Sequence, residues 1–297
     1  MSAMSGRAWV SVLCQSRRLR RRGCDRRACR AELHTTTAAQ WSPGQPPPKA
    51  AALVIGNEVL SGKITDTNTA WLARLLYARG VDLVRVEVVP DVPDDIAASA
   101  RSLSARVGPS GFVFTSGGIG PTHDDVTYES LAAAFGVPLA LHAPTVAKMR
   151  VHYQAQGKEL NAARLRMATL PEGCVVHDTP NSWVPLVQVA NVYVLPGVPW
   201  LYKQMLEANR GLFTGPQLLT RTLYTHTGEG DLAAALTAVA SDHSAVSIGS
   251  YPNTARGDAS FATKLCFDGR DAGALEAAVN ATRAVIATFD ELPPSAA

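Results

Sequence analysis

Thirteen residues hold most of the chemical promise of this chain. Thr115–Thr127 reads TSGGIGPTHDDVT, with an apolar run before it and a helical pattern after it. Where a strand runs into a helix, the first turn of the helix presents unpaired N–H groups and a partial positive charge, which attract anions. Gly117, Gly118 and Gly120 let the backbone approach a ligand closely. Thr115, Ser116 and Thr122 add hydroxyl donors, so the loop fits a phosphate. The same loop carries Asp124 and Asp125. Two carboxylates repel a phosphate unless a divalent cation such as Mg²⁺, Mn²⁺ or Co²⁺ bridges them. Capping of the following helix is the plainer alternative for either aspartate, more for Asp124 than for Asp125. His123 beside them reads as an ordinary loop residue.

Three further segments sit where strands are expected to end: GNEVLSGKITDTN (Gly56–Asn68), Val89-Pro90-Asp91, and Leu195-Pro196-Gly197-Val198-Pro199. In a parallel sheet the carboxyl ends of the strands share one edge, and ligands of open α/β folds bind there. Glu58, Asp66, Asn68 and Asp91 are therefore expected to converge on the glycine loop. Asp91, Asp125, Glu58 and Asp66 are the candidate catalytic residues, and Asp125, Asp124 and Asp91 the candidate metal ligands. Thr115, Ser116, Gly117, Gly118, Gly120, Thr122, Asn68, Pro196 and Gly197 are the candidate phosphate and nucleotide contacts. A plainer reading makes Asp66 and Asn68 a helix N-terminus and nothing more, and Pro196-Gly197 a turn.

The elements that must position these residues are legible from periodicity. Ala50–Gly56, Val81–Val89 and Gly111–Ser116 read as strands, and Asn68–Arg79, Pro93–Val107 and Thr127–Phe135 as the helices between them. Gly80 and Gly136 stop two of the helices, and Pro93 opens another. The alternation predicts a three-layer αβα fold with a mainly parallel sheet. Helices over Ala143–Gln156 and Glu159–Thr169 follow. Leu186–Val189 and Asn191–Leu195 read as paired strands, and Pro199–Asn209 as a helix. Breakers at Gly211–Pro216 mark a boundary. Beyond it, strand (Thr220–His226), helix (Asp231–Ala240), two strands (Ala245–Ser250, Ser260–Asp268) and a helix (Ala272–Thr288) suggest a small α+β subdomain of split-βαβ type. The expected division is 50–211 for the ligand-binding domain and 212–297 for the subdomain with a disordered tail.

The formal charge of +3 conceals an asymmetry. Residues 1–40 carry nine Arg against Asp25 and Glu32, a surplus of 7 that leaves 41–297 at −4. A mildly acidic body argues against non-specific nucleic-acid binding. An Arg-rich, hydroxyl-containing, acid-poor leader matches a mitochondrial transit peptide directing the chain to the matrix, with a basic disordered tail or an early start codon as alternatives. The proline-rich 41–49 reads as a linker. Cys14, Cys24 and Cys29 fall in the leader, leaving Cys174 and Cys266, with no zinc-like spacing and no disulfide framework. No run approaches the roughly 18 apolar residues of a membrane span. Expected partners are a dinucleotide, flavin or pterin and further copies of the chain, with neither nucleic acid nor membrane.

The four segments GNEVLSGKITDTN, VVPD, TSGGIGPTHDDVT and LPGVP, in this order, resemble the molybdopterin-binding, Mog-type domain family. Within it the chain is similar to the branch shared by CinA and the N-terminal domain of eukaryotic FAD synthase, including its stand-alone fungal relatives. NAARLRMATLPEG (Asn161–Gly173) resembles CinA; WVPLVQVANVYVLPGVP (Trp183–Pro199) and IGSYP (Ile248–Pro252) resemble the FAD synthase domain. The likeness covers about residues 50–288. It implies the fold read above. It also implies importance in adenylyl transfer for the aspartates matching Asp91 and Asp125, and, in the CinA and FAD synthase branch, metal-dependent cleavage of a dinucleotide pyrophosphate. Asn57 stands where the family usually has Asp or Ser. The chain ends at Ala297 without the PAPS reductase-like domain in which FAD synthase makes FAD, so FAD synthesis by this chain alone is not expected.

Three functions follow as expectations. The first is a metal-dependent hydrolase splitting the pyrophosphate of FAD, to FMN and AMP, or of ADP-ribose. The second is a molybdopterin-binding adenylyltransferase. The third is a non-catalytic flavin- or nucleotide-binding regulatory module.

Overall fold

The computed structural model describes Ser42, residues 45–255 and residues 259–290. The expected transit segment and the last residues of the expected tail lie outside this range. The chain opens with β1 (Lys49–Ile55), buried from Ala50 onward, and the one-turn α1 (Asn57–Leu60). Then come α2 (Asn68–Ala78), β2 (Asp82–Val89), α3 (Pro93–Val107), β3 (Phe112–Ser116) and α4 (Thr127–Phe135). A less regular stretch follows: β4 (Leu139–Leu141), α5 (Ala143–Ala155), α6 (Ala162–Arg166), β5 (Thr169–Pro171) and β6 (Val175–His177). β7 (Leu186–Val189), β8 (Val192–Val194) and α7 (Pro199–Ala208) complete the first part.

Six strands form one sheet in the order β2-β1-β3-β8-β7-β6. β1 is parallel to β2 and β3, and β3 is parallel to β8. β7 is antiparallel to both its neighbours, because Ala190, at φ 52°, turns it directly into β8 as a hairpin. Alternate residues of β1 feed two cores. Ala51, Leu53 and Ile55 pack with Ile96, Leu103 and Leu131 of α3 and α4. Ala50 and Ala52 pack with Leu72, Leu76, Phe114, Tyr202 and Met205, on the α2 and α7 side. The sheet is therefore sandwiched between helices, giving the three layers expected from sequence.

One expectation needs correction. The helix read over Glu159–Thr169 is only Ala162–Arg166. Asn161 caps it by accepting the Arg164 N–H at 3.0 Å, and Thr169–Pro171 leaves to pair antiparallel with β4. Pairing with a strand on the far side of α5 overrides helical periodicity there. The strands β4, β5 and β6 are three residues each and carry no readable alternation.

The C-terminal part contains β9 (Leu219–Thr225), α8 (Glu229–Asp242), β10 (Ser247–Pro252), β11 (Thr263–Gly269) and α9 (Ala272–Val285). Its three strands lie in the order β10-β11-β9, with β11 antiparallel to both neighbours. The crossover β9-α8-β10 thus leaves a gap that β11 fills, the split-βαβ pattern. Leu223, Leu265 and Phe267 pack against Leu232, Leu275 and Val279 of the two helices.

Candidate functional site

A cavity of about 570 Å³ opens where β1 and β3 end, between the glycine loop, the segment after β1 and the turn after β8. The loop's shape is dictated by contact. At Gly117, φ is +113° and a Cβ would stand 2.2 Å from the Ile55 carbonyl oxygen. At Gly118, φ is +66° and a Cβ would meet Thr127 Oγ1 at 2.3 Å. Only glycine fits either place. Thr127 locks the loop from behind: its hydroxyl donates to the Gly117 carbonyl (3.0 Å) and its N–H to the Gly118 carbonyl (3.0 Å). Among the described residues, the amides of Gly118, Ile119 and Gly120 have no hydrogen-bond partner. Unpaired successive N–H groups of this kind are what an anion would require. The first amide of α4, by contrast, is already taken. On the other rim, the Gly197 Cβ position would lie 3.6 Å from the Gly117 Cα, so two main chains meet there.

The structure sorts the sequence-derived residues. Glu58, Asp66, Asn68, Ser116, Gly117, Gly118, Gly120, Asp125, Pro196 and Gly197 all line the cavity. Glu58 curls back over Gly56, and among the described residues its carboxylate accepts no hydrogen bond. Asp66 does the plainer job as well: its Oδ1 accepts the Asn68 and Thr69 N–H groups (2.9 and 3.1 Å) at the start of α2. Asn68 is only 4% exposed. Its amide nitrogen donates to Ser116 Oγ (3.0 Å) and to the Gly197 carbonyl (2.9 Å), tying three loops together.

Four residues are not where the sequence placed them. Asp91 is off the cavity wall; its Oδ2 accepts the Asn57 N–H at 2.8 Å and so fixes the turn that presents Glu58. Thr115 is fully buried, and its hydroxyl accepts the Leu195 N–H at 3.3 Å, joining β3 to β8. Thr122 and Asp124 are exposed beyond the wall. Thr122 nevertheless shapes the site. Its N–H donates to Asp125 Oδ2 (2.9 Å), and its hydroxyl lies 2.5 Å from that oxygen and 2.6 Å from Asp124 Oδ1. The Thr122 hydroxyl holds the Asp124 carboxyl below its usual range. One hydroxyl proton cannot serve two carboxylates at once, so Thr122 satisfies only one of the pair at a time through its hydroxyl.

Among the described residues, no group of three or more His, Cys, Asp or Glu side chains gathers as a ready metal site. A protein-only cage is not what Mg²⁺ requires, however: it is usually held by one or two carboxylates, with phosphate and water completing the shell. The Asp124–Asp125 pair fits that demand.

Sequence reasoning overlooked the apolar wall and one clamp. Tyr128, Met167, Trp183 and Val184 also line the cavity. Trp183 lay inside a quoted segment, yet an isolated aromatic carries no positional signal. Arg166 donates to the Thr122 carbonyl (2.6 Å) and the Asp125 carbonyl (3.0 Å) and pairs with Glu129 at 3.1 Å, gripping the acidic turn from α6. Its place in the NAARLRMATLPEG segment was the available clue.

A three-layer α/β domain with a glycine-built cavity at its strand ends has the architecture of the open-sheet domains, whose ligands sit at that edge. The chain belongs to the family described as the probable molybdopterin binding domain, whose model matches residues 51–209. A second model, the middle domain of FAD synthase, matches residues 217–288. A CinA-like protein of Myxococcus xanthus is 40% identical over 52% of this chain and 37% of its own length. A probable FAD synthase of Caenorhabditis elegans is 34% identical over 83% of this chain and 51% of its own length. The chain thus spans about half or less of these curated relatives. The crystal structure of the protein CinA with unknown function from Thermoplasma acidophilum superposes with a TM-score of 0.50 at 30% identity, over 56% of this chain and 99% of that one.

Proposed function

We propose that the chain is a metal-dependent hydrolase that cleaves the pyrophosphate of a dinucleotide carrying a flat ring, with FAD and ADP-ribose as the substrates to try first. One observation carries the reading: a single cavity joins an aromatic and apolar wall, formed by Tyr128, Met167 and Trp183, to free loop amides and several carboxylates. A ring can bury on the wall while the amides of Gly118, Ile119 and Gly120 take phosphate oxygens. Asp125 and Asp124 would hold the divalent cation, which when bound polarises the phosphoryl group and lowers the pKa of water. Glu58, whose carboxylate is unengaged, takes the proton of the attacking water as its oxygen bonds to phosphorus and the anhydride P–O bond breaks. Asp66, already occupied by two amides, orients rather than accepts. The relationship to FAD synthase in both halves of the chain supports the choice of FAD.

The test is incubation of the purified chain with FAD and ADP-ribose in Mg²⁺, Mn²⁺ or Co²⁺, read by product chromatography. FMN plus AMP is expected from FAD, with Asp125→Ala slower by about 100-fold or more. Both compounds left intact in all three metals overturn the reading.

The family of residues 51–209 favours a second reading, molybdopterin binding with adenylyl transfer through the same residues. Fluorescent pterin copurifying with the chain would select it. A purely regulatory module would bind FAD with no turnover for Asp125→Ala to abolish.

A further inference from the structure

Asn68 leaves one atom unexplained. It is 4% exposed, lines the cavity, and spends its amide nitrogen on Ser116 Oγ and the Gly197 carbonyl. Its Oδ1 is buried without a hydrogen-bond partner. A buried carbonyl oxygen left in that condition is destabilising, so it persists where something else completes it. Ser116 is the complementary half. Its Oγ accepts from Asn68, and among the described residues its own hydroxyl proton has no acceptor. Two neighbouring residues that line the cavity thus hold one vacant acceptor and one vacant donor.

We infer that Asn68 and Ser116 together read a donor–acceptor edge of the ligand. Asn68 Oδ1 accepts from a ligand N–H or O–H, and Ser116 Oγ donates to the adjacent ligand oxygen. Two chemistries present such an edge: the N–H/C=O lactam of a flat pyrimidine-type ring, and a vicinal sugar diol. A tertiary amine or a bare hydrocarbon edge leaves Oδ1 unsatisfied and is rejected. The Gly197 carbonyl fixes the orientation of the Asn68 amide, because it can only accept and so must face the nitrogen. The inference rests on the dinucleotide-binding reading, but concerns which part of the ligand is recognised and not whether it is cleaved.

The experiment is equilibrium binding to the full chain by calorimetry, with Ca²⁺ in place of Mg²⁺ to suppress turnover. The probes are FAD, N3-methyl-FAD, ADP-ribose and its 2′- and 3′-deoxy analogues. Ring recognition predicts that N3-methyl-FAD binds at least tenfold more weakly than FAD; diol recognition predicts the same loss for a deoxy analogue. In Asn68→Ala the ratio between parent and stripped probe falls to about one, an effect that simple loosening of the loops does not produce. Ser116→Ala, a smaller perturbation, halves or further reduces the same ratio if Asn68→Ala does not fold. Equal affinities of all probes for the unaltered chain overturn this inference and leave the dinucleotide reading standing. Failure of both FAD and ADP-ribose to bind overturns both.

Discussion

The glycine loop of the large sheet and the three-stranded C-terminal sheet are built by opposite rules. β11 alternates buried and half-buried residues without a break, and the single glycine at its end, Gly269, would accept a Cβ at 3.5 Å from Val246, an ordinary contact. β3 is buried throughout and then runs into a loop with left-handed glycines, unpaired amides and two carboxylates on one hydroxyl. β11 keeps to the alternation of a half-buried strand; the glycine loop departs from local preference several times within a few residues. Local rules are broken where a ligand is to be held, and the surrounding structure must bear the cost.

The sharpest way to break this contrast is a matched pair of glycine substitutions. Gly117→Ala should cost about 3 kcal/mol or more, because the new methyl group meets the Ile55 carbonyl in a left-handed backbone. Gly269→Ala should stay within about 1 kcal/mol. Urea midpoints measure both, and equal shifts would erase the distinction.

Alkaline pH gives the next largest effect. Burial pushes the Cys174 thiol up from 9.0 to about 11. The folded state therefore holds that proton more tightly than the unfolded state does. The resulting stability is complete below pH 9 and disappears as pH rises towards 11, by about 2 kcal/mol at most. Cys174→Ala should flatten the fall in melting temperature between those values. An unchanged slope would assign the loss to other groups, such as Tyr128, which burial also raises.

Arg166→Ala removes donors to two carbonyls of the acidic turn and should lower stability by about 1 kcal/mol while slowing turnover roughly tenfold. Arg221→Ala in the C-terminal sheet breaks only an exposed pair with Glu276 and should change stability by under about 0.5 kcal/mol and turnover not at all. The smallest expected change is a gain. Gly230→Ala in the first turn of α8, where a Cβ meets open space, should add about 0.5 kcal/mol.

The same contrast explains what the sequence made legible. Long periodic elements were readable: α3 runs Pro93–Val107 as expected, and β9 to α9 appear in the anticipated order. The convergence of Glu58, Asp66 and Asn68 on the glycine loop followed from sheet geometry alone. What escaped depends on contacts between distant residues. Thr115 turned inward because its hydroxyl meets Leu195, eighty positions away. Asp91 turned to Asn57, and Arg166 to carbonyls forty residues earlier, through bonds that leave no periodic trace. Short pairings such as β4 with β5 carry too few residues for alternation to appear.

Where Gly117 approaches Gly197, the rim of the cavity is made of peptide rather than side chain. Mutation edits side chains and can hardly edit a peptide, so that part of the recess is shielded from evolutionary tinkering. A descendant of this chain that acquired a new ligand would have to change side chains such as Trp183, Met167 and Tyr128, and inherit this stretch of the rim unaltered.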